Sequence, residues 1–478
     1  MLLNIIEGIS EVFESIDLSN SDTNSNKHHL KSRFGNASEL MSRFNKGFSL
    51  TGHKFLTSKK SYEHLLYFGP SGSGKTTVSI IPSAINIARY GNSSMILNNP
   101  SGELQKLEGY LISRGYTVIS FNPNNKNNSI YYNPFSRIKN KADIQKVATI
   151  LVLKGSKKSP DFWQIKSIEL ISLIIEFLLN HSAKVYQNLG NVYHLLQNLA
   201  GDEDTVSKLF ASESSEKEWQ AYKAVINNSD NTKASIISSA ISSLSFIGNN
   251  PELSDITSID SFDFQRLRSE KICLFLNIRT MDMEFYSPIL GLFFEQLFSE
   301  LMNDIPTKED NKLYIMIDEL SSIPLPSLPT VIANARKYFG ILGVLQSEAQ
   351  LYNNYGEHSA KAILNNATKV YMSGLDAEAE RLSKALGQYQ YFEDKDQKVL
   401  RTRSLMTANE IRFMPQDRVI IMPNGGMRPI YSEVVPFYKS LRFHNCMDME
   451  IPDSEECQDN IQYSIQYLPL DEYKNQDQ

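Results

Sequence analysis

Cysteine is scarce in this chain. Only three of its 478 residues are Cys, and Cys273, Cys446 and Cys457 have neither metal-site spacing nor the density of a disulfide framework. A reducing, cytosolic interior is the expected setting. Long apolar runs are also missing: nothing approaches the roughly 20 uninterrupted apolar residues that span a bilayer. The richest stretch, SIELISLIIEFLLN from Ser167 to Asn180, is broken by Glu169 and Glu176 and reads as a buried helix. The N-terminus has apolar residues at 2, 3, 5, 6, 9, 12, 13 and 16, one face of a helix. It lacks the basic start of a secretory signal, and Glu7, Glu11 and Glu14 carry the wrong sign for an anionic membrane surface. That helix is expected to pack on its own domain or dock a partner. No solenoid-length repeat is present. A basic excess is absent too. The formal net charge is −6, and residues 446–478 hold nine acids against one lysine, so the rest is close to neutral. Any DNA contact would need a local basic surface. The acidic end reads as a flexible tail that binds a partner or solvates the terminus.

What remains is an ordinary globular composition, 41% hydrophobic and 21% charged, long enough for two or more domains. Residues 17–32 are polar and read as a linker. From Ser61 the chain alternates: SYEHLLYF as strand, a glycine loop, a helix to about Tyr90, SSMIL as strand, GELQKLEGYLISRG as helix and YTVISF as strand. Such alternation implies parallel pairing in an α/β sheet. From about residue 137 to 260 only helical periodicity is visible. Alternation then resumes with KICLFLNI, KLYIMIDEL, FGILGVLQS, TKVYMSGL and DRVIIMP. The expected architecture is one α/β domain, residues 33–136 and 261–443, interrupted by an all-α insertion at 137–260. It is preceded by a helix and linker at 1–32 and followed by the acidic tail at 444–478.

Gly69-Pro70-Ser71-Gly72-Ser73-Gly74-Lys75-Thr76 fits G-x-x-x-x-G-K-[ST], with Thr77 following. Glycines let backbone N–H groups turn inward around phosphates, the lysine reaches the β- and γ-phosphates, and the Thr76 hydroxyl ligates Mg²⁺. A strand before and a helix after distinguish the motif from a flexible Gly/Ser turn. ATP and Mg²⁺ are the expected ligands. Asp318-Glu319 closes the strand KLYIMI, and ligands of parallel sheets sit beyond strand C-termini. Asp318 is placed to hold Mg²⁺ through water, and Glu319 to polarise an attacking water. This pairing favours a motor-type ATPase over a small-metabolite kinase. Gln346, at the tip of the next strand, is a candidate γ-phosphate sensor. Arg336 is a candidate finger reaching a neighbouring subunit. A solvated loop and a plain surface arginine are the simpler readings of those two. Arg137 to Lys158 carries seven basic residues and one acid, a run that either faces a DNA backbone or is solvated charge. Pro82 sits inside the helix after the loop and should break its hydrogen-bond ladder near Val78.

Taken in order, these segments resemble the TraG/TraD-like coupling proteins of type IV secretion and conjugation. The resemblance runs over roughly 33–440 and includes SRFGNASEL, GPSGSGKTTVSIIPS with its proline, DFWQIKSIELISLII, IDELSSIP, NARKYFGILGVLQSEAQLYNNYG and LMTANEIRFMPQDRVIIMPNGGMRPIYSEVVPFY. It implies a RecA-like P-loop ATPase acting as a homo-hexameric ring. Its all-α domain would serve substrate recognition, and hydrolysis would be coupled to recruiting or moving DNA, nucleoprotein or protein into a secretion channel. It also implies that Lys75, Thr76, Asp318 and Glu319 are nucleotide residues, with Gln346 as sensor and Arg336 as finger. Two departures stand out. NPSGE places Asn99 and Ser101 where the family has an Asp and a Lys. The family's N-terminal membrane helices have no counterpart, which implies a cytoplasmic member reaching membrane components through a partner. A HerA/FtsK-like DNA translocase unconnected to secretion, and a nucleotide-gated cargo adaptor with little turnover, are the alternatives.

Overall fold

Nearly continuous apolar runs become strands buried on both faces, as parallel sheets require. The computed structural model describes residues 31–154, 159–323, 325–392, 400–451 and 463–474. The N-terminal helix expected at 1–16, most of the linker, and Cys457 lie outside these. The described residues form eleven strands: β1 (Leu65–Phe68), β2 (Ser93–Asn98), β3 (Thr117–Phe121), β4 (Ile272–Leu276), β5 (Lys312–Ile317), β6 (Gly340–Leu345), β7 (Thr368–Met372), β8 (Gln388–Phe392), β9 (Leu400–Ser404), β10 (Arg418–Met422) and β11 (Ile430–Glu433). Nine make one sheet, ordered β11-β10-β7-β1-β6-β5-β2-β4-β3. From β7 through β3 every pairing is parallel, whereas β10 and β11 run antiparallel at one edge. The expected mainly parallel α/β sheet is therefore present. The β8–β9 hairpin and β11 carry polar or short sequences and gave no strand signal.

Period-two alternation assigns the faces. Leu65, Tyr67, Met95, Leu97, Tyr314 and Met316 pack with the helix Ile80–Tyr90 on one side. Leu66, Phe68, Ile96, Leu313, Ile315 and Ile317 face the other side, packing with the helix Met283–Leu301. Between β3 and β4 every regular element among the described residues is a helix, the longest being Phe162–His181, opened by an Asp161–Gln164 capping box. Its Ile171, Ile174 and Leu178 belong to the same apolar cluster as Leu66, so the core runs unbroken from the sheet into the helices. Three residues of the basic run entering this stretch have acidic partners within the chain, Arg137 buried and Lys141 and Lys146 exposed. The Arg137 guanidinium is buried, 2.9 Å from Asp260 and 3.4 Å from Glu300, and lies 4.0 Å from the Phe264 ring centre. Lys141 pairs with Glu176, and Lys146 with Asp143 at 3.5 Å.

Two boundaries differ from expectation, and the break expected near Val78 is present. Ser61 ends a short helix and His64 takes a φ of 62°, so β1 starts only at Leu65. The helix after the glycine loop is broken at Ser79 into Lys75–Val78 and Ile80–Tyr90. Pro82 has no N–H to offer the Val78 carbonyl, and the Ser49 hydroxyl donates to it instead at 2.7 Å. The same hydroxyl accepts from Gly52 N at 2.8 Å, and the Ser49 amide donates to Ser83 Oγ at 2.8 Å. Finally, the acidic end is not a free tail where it is described. Asp448 N bonds the Lys106 carbonyl at 3.0 Å, and residues 463–474 lie against the helical stretch, with Leu470 buried.

Ser49→Ala strips the Val78 carbonyl and the Gly52 amide of a buried partner. It should cost about 1–3 kcal/mol of stability, read from urea or guanidinium unfolding.

Candidate active site

β1 delivers the chain to Gly69, whose amide bonds the carbonyl of Leu345, the last residue of β6, at 3.3 Å. Beyond it the loop folds tightly. A Cβ at Gly69 would stand 2.7 Å from Ser73 Oγ and 2.8 Å from Met372 Cβ. Gly74, at a φ of 80°, turns the chain into the helix Lys75–Val78. The first N–H groups of that helix have no intrahelical acceptor. Lys75 Nζ lies over the loop, donating to the carbonyls of Gly69 at 2.6 Å and Pro70 at 2.9 Å. Ser73 Oγ is buried with no partner.

The second half of the site arrives through sheet order. β6 lies between β1 and β5, so the C-terminal tips of all three stand side by side. Thr76 Oγ1 donates to Asp318 Oδ2 at 2.9 Å across 242 residues of sequence. Asn98, at the tip of β2, donates its amide to the Asp318 carbonyl at 2.6 Å, while its Oδ1 is buried and unpartnered. Asn98 was not singled out from sequence. Its only signal is its position at the end of an apolar strand, one residue before NPSGE. Glu319 holds a left-handed φ of 59°, unusual for a residue with a side chain.

Burial pushes the Asp318 carboxyl up, against the downward pull of the Thr76 bond and the Lys75 ammonium. Glu103, in the loop after β2, adds a smaller upward push. Burial and then the Asp318 charge raise Glu319, opposed by Lys75. Burial lowers Lys75, and the two carboxylates work against it. The oxygen-only set of Thr76, Asp318 and Asn98 fits a hard cation that keeps part of its water shell, which is the chemistry of Mg²⁺. Among the described residues no group of three or more His, Cys, Asp or Glu could hold a metal on its own.

Gln346 is the first residue after β6, exposed, its main-chain N–H donating to Gln350 Oε1 at 2.9 Å. It is thus adjacent to the loop. Arg336 is not: it lies on a turn before the N-terminal end of β6, exposed, roughly 20 Å away by strand length. Asn99 serves the loop rather than a ligand. Its amide donates to Asn277 Oδ1 at 2.9 Å, and its own oxygen accepts from Leu104 N at 3.0 Å.

On the opposite side of β1 an open cleft of about 500 Å³ adjoins the phosphate loop. Because β10 is antiparallel to β7, its entry segment reaches the loop end of the sheet, and β11 returns there. Residues 412–417 and 434–439 therefore wall the cleft, with Phe413 78% and Tyr438 53% exposed. This wall was not anticipated, because it is assembled from residues more than 300 positions after the loop.

Residues 19–460 match the family described as Type IV secretory system Conjugative DNA transfer. The chain belongs to that family. Among curated relatives, the VirD4 protein of Rhizobium radiobacter is 25% identical over 377 residues, covering 75% of this chain and 53% of the relative. The VirD4 protein of Agrobacterium fabrum is 24% identical over 377 residues, covering 75% and 54%. The chain thus spans about half the length of the relatives it matches. The plasmid coupling protein TrwB, solved with a non-hydrolysable ATP analogue, superposes with a TM-score of 0.65 at 18% identity, covering 85% of this chain and 94% of that one. TrwB with ADP and Mg²⁺ gives 0.64 at 17% identity, covering 87% and 97%. These likenesses show a shared fold. No helix among the described residues is long and apolar enough to cross a membrane.

In this family member Gly374 stands at a φ of 84°, and an added Cβ would meet Pro70 Cγ at 3.1 Å. Gly374→Ala should cost about 1–2 kcal/mol through backbone strain, read from denaturant unfolding.

Proposed function

We propose that this chain is the ATP-hydrolysing motor of a type IV secretion or conjugation coupling apparatus, acting on DNA or on DNA-bound or free protein. The observation that carries the reading is the Thr76–Asp318 bond, which joins the phosphate loop to the Asp-Glu pair within a conjugative-transfer family member. Solved TrwB complexes with ATP analogues, and with ADP and Mg²⁺, support ATP and Mg²⁺ as ligands here. Thr76 and Asp318 would hold the Mg²⁺, which supplies positive charge to the phosphates. Lys75 exchanges its two loop carbonyls for phosphate oxygens. Glu319, held up by burial and by Asp318, is a stronger base than an exposed glutamate and takes the proton of the attacking water. Gln346 senses the γ-phosphate. Arg336, far from its own loop, can act only on a neighbouring copy, which fits a homo-hexameric ring. In this reading the α/β stretches at 33–136 and 261–443 carry hydrolysis and the all-α stretch at 137–260 takes the cargo. The route to membrane components is a partner at the cytoplasmic face.

Sheet order also orients the nucleotide. The γ-phosphate end points toward β6 and β5, where the carboxylates stand, so the nucleoside end enters the cleft beside β7 and stacks on Phe413 or Tyr438.

Steady-state hydrolysis with and without single- and double-stranded DNA tests the motor. Lys75→Ala should abolish nucleotide binding, and Glu319→Gln should bind ATP yet lose about 10²-fold or more of turnover. Since Glu319 must be ionised and its pKa is raised, kcat should fall as pH drops, beginning above the ordinary glutamate range. Wild-type turnover in Glu319→Gln would refute the mechanism.

Phe413→Ala and Tyr438→Ala should together weaken ATP binding by roughly tenfold or more, leaving inorganic tripolyphosphate binding unchanged. Calorimetric titration of both ligands checks this.

A further inference from the structure

Asn98 has a hydrogen-bonding pattern that packing alone does not account for. It ends β2, in register with Ile317 of β5 on one side and Leu276 of β4 on the other. Its side chain is fully buried. The amide nitrogen donates to the Asp318 carbonyl at 2.6 Å. That bond orients the group, because only the nitrogen can donate to a carbonyl. The amide oxygen is turned to a place where it has no partner. A buried acceptor without a donor costs stability, so stability gives weak grounds for an amide here. What the amide does is grip one carbonyl.

That carbonyl belongs to the peptide leading into Glu319. Asp318 is held twice: its carboxylate takes the Thr76 hydroxyl at 2.9 Å, and its carbonyl takes Asn98. The two partners come from opposite faces of the sheet. Period-two alternation puts Asn98 on the face of Ile96, whereas Thr76 belongs to the helix whose Val78 packs on the other face. Glu319 itself stands at φ 59° and ψ 52°. This left-handed conformation is costly for a residue with a Cβ and persists only where the surroundings over-determine it. Two bonds supply that constraint. Asn98 fixes the peptide plane before Glu319, and Ser322 N donates to the Glu319 carbonyl at 2.9 Å, fixing the plane after it. With both planes held, the direction in which the Glu319 side chain leaves the strand tip is set.

Asn98 is held firmly in its turn. The next residue, Asn99, donates its main-chain N–H to the Leu276 carbonyl at 3.0 Å and its side-chain amide to Asn277 Oδ1 at 2.9 Å. Asn277 donates to Gln105 Oε1 at 3.1 Å and to Ser120 Oγ at 3.2 Å. A row of polar side chains thus ties the tips of β2, β4 and β3 together, and Asn98 extends the row to β5.

We propose that Asn98 is a positioning residue for hydrolysis: by gripping the Asp318 carbonyl it holds Glu319 in its left-handed conformation and aims the Glu319 carboxylate at the attacking water. The proposal rests on the reading of Glu319 as the base. Without the amide, the peptide before Glu319 is free to turn, Glu319 relaxes to a negative φ, and its carboxylate swings off the line of attack. Thr76, Asp318 and Lys75 keep their places, so binding survives and the chemical step suffers.

The test is Asn98→Leu, which keeps the size and removes the donor. ATP affinity, from calorimetric titration with Mg²⁺, should stay within about twofold while kcat falls roughly 10- to 100-fold, the scale of a misplacement of about 1 Å. Introduced into Glu319→Gln, the same change should cost no further rate in single-turnover hydrolysis, because the group it positions is already gone. Should Asn98→Leu fail to fold, Asn98→Ala serves the same comparison. A folded Asn98 variant with unmodified turnover, alongside an impaired Glu319→Gln, would overturn this proposal alone. A full additional loss in the double variant would overturn it too, since Asn98 would then act apart from Glu319. So would recovery of kcat at raised Mg²⁺, which would make Asn98 a metal-site residue. Unmodified turnover in Glu319→Gln would remove the base itself, and both readings with it.

Discussion

One hydrogen bond, from the Thr76 hydroxyl to the Asp318 carboxylate, joins parts of the chain 242 residues apart. It can form only because β6 inserts between β1 and β5 and brings three strand tips level. That order gives the site two sides. Carboxylates and the Gln346 tip lie on one, and the aromatic-edged cleft lies on the other. The helical stretch between β3 and β4 is accommodated without disturbing this, because it shares its core with the outer face of the sheet rather than with the strand tips.

The loop is positioned from beneath as well. The proline in the following helix frees the Val78 carbonyl, and Ser49 satisfies it while also holding Gly52 and Ser83. The break thus becomes an anchor for a segment that precedes β1. The cost of the missing helix bond is offset by a buried side-chain bond. The fold thus tolerates the proline.

Much of this was legible in sequence for physical reasons. Buried parallel strands read as apolar runs, and a phosphate loop needs glycines at fixed places, so Lys75, Thr76, Asp318 and Glu319 could be singled out as candidates before any fold was known, and the fold brings Thr76 and Asp318 together. The break at Pro82 was legible because proline lacks an N–H. Its remedy by Ser49 was not, since that partner is set by tertiary packing. Asn98 escaped notice because one asparagine at a strand end carries no pattern. The cleft wall escaped because an antiparallel edge hairpin folds distant residues back to the loop. The β8–β9 hairpin was hidden by its polar, exposed alternation. The acidic end misled: its charge suggested a solvated tail, yet in 463–474 the main chain, whose hydrogen bonds composition does not report, decides where it lies.

The Thr76–Asp318 bond predicts that the phosphate loop and the Asp-Glu strand act as one unit. A double-mutant cycle of Thr76→Ala and Asp318→Asn, read out as Mg²⁺-dependent ATP affinity, tests it most directly. Strong non-additivity is expected, with a coupling of about 1 kcal/mol or more and the double variant little worse than either single one. Effects that simply add, within about 0.3–0.5 kcal/mol, would contradict it.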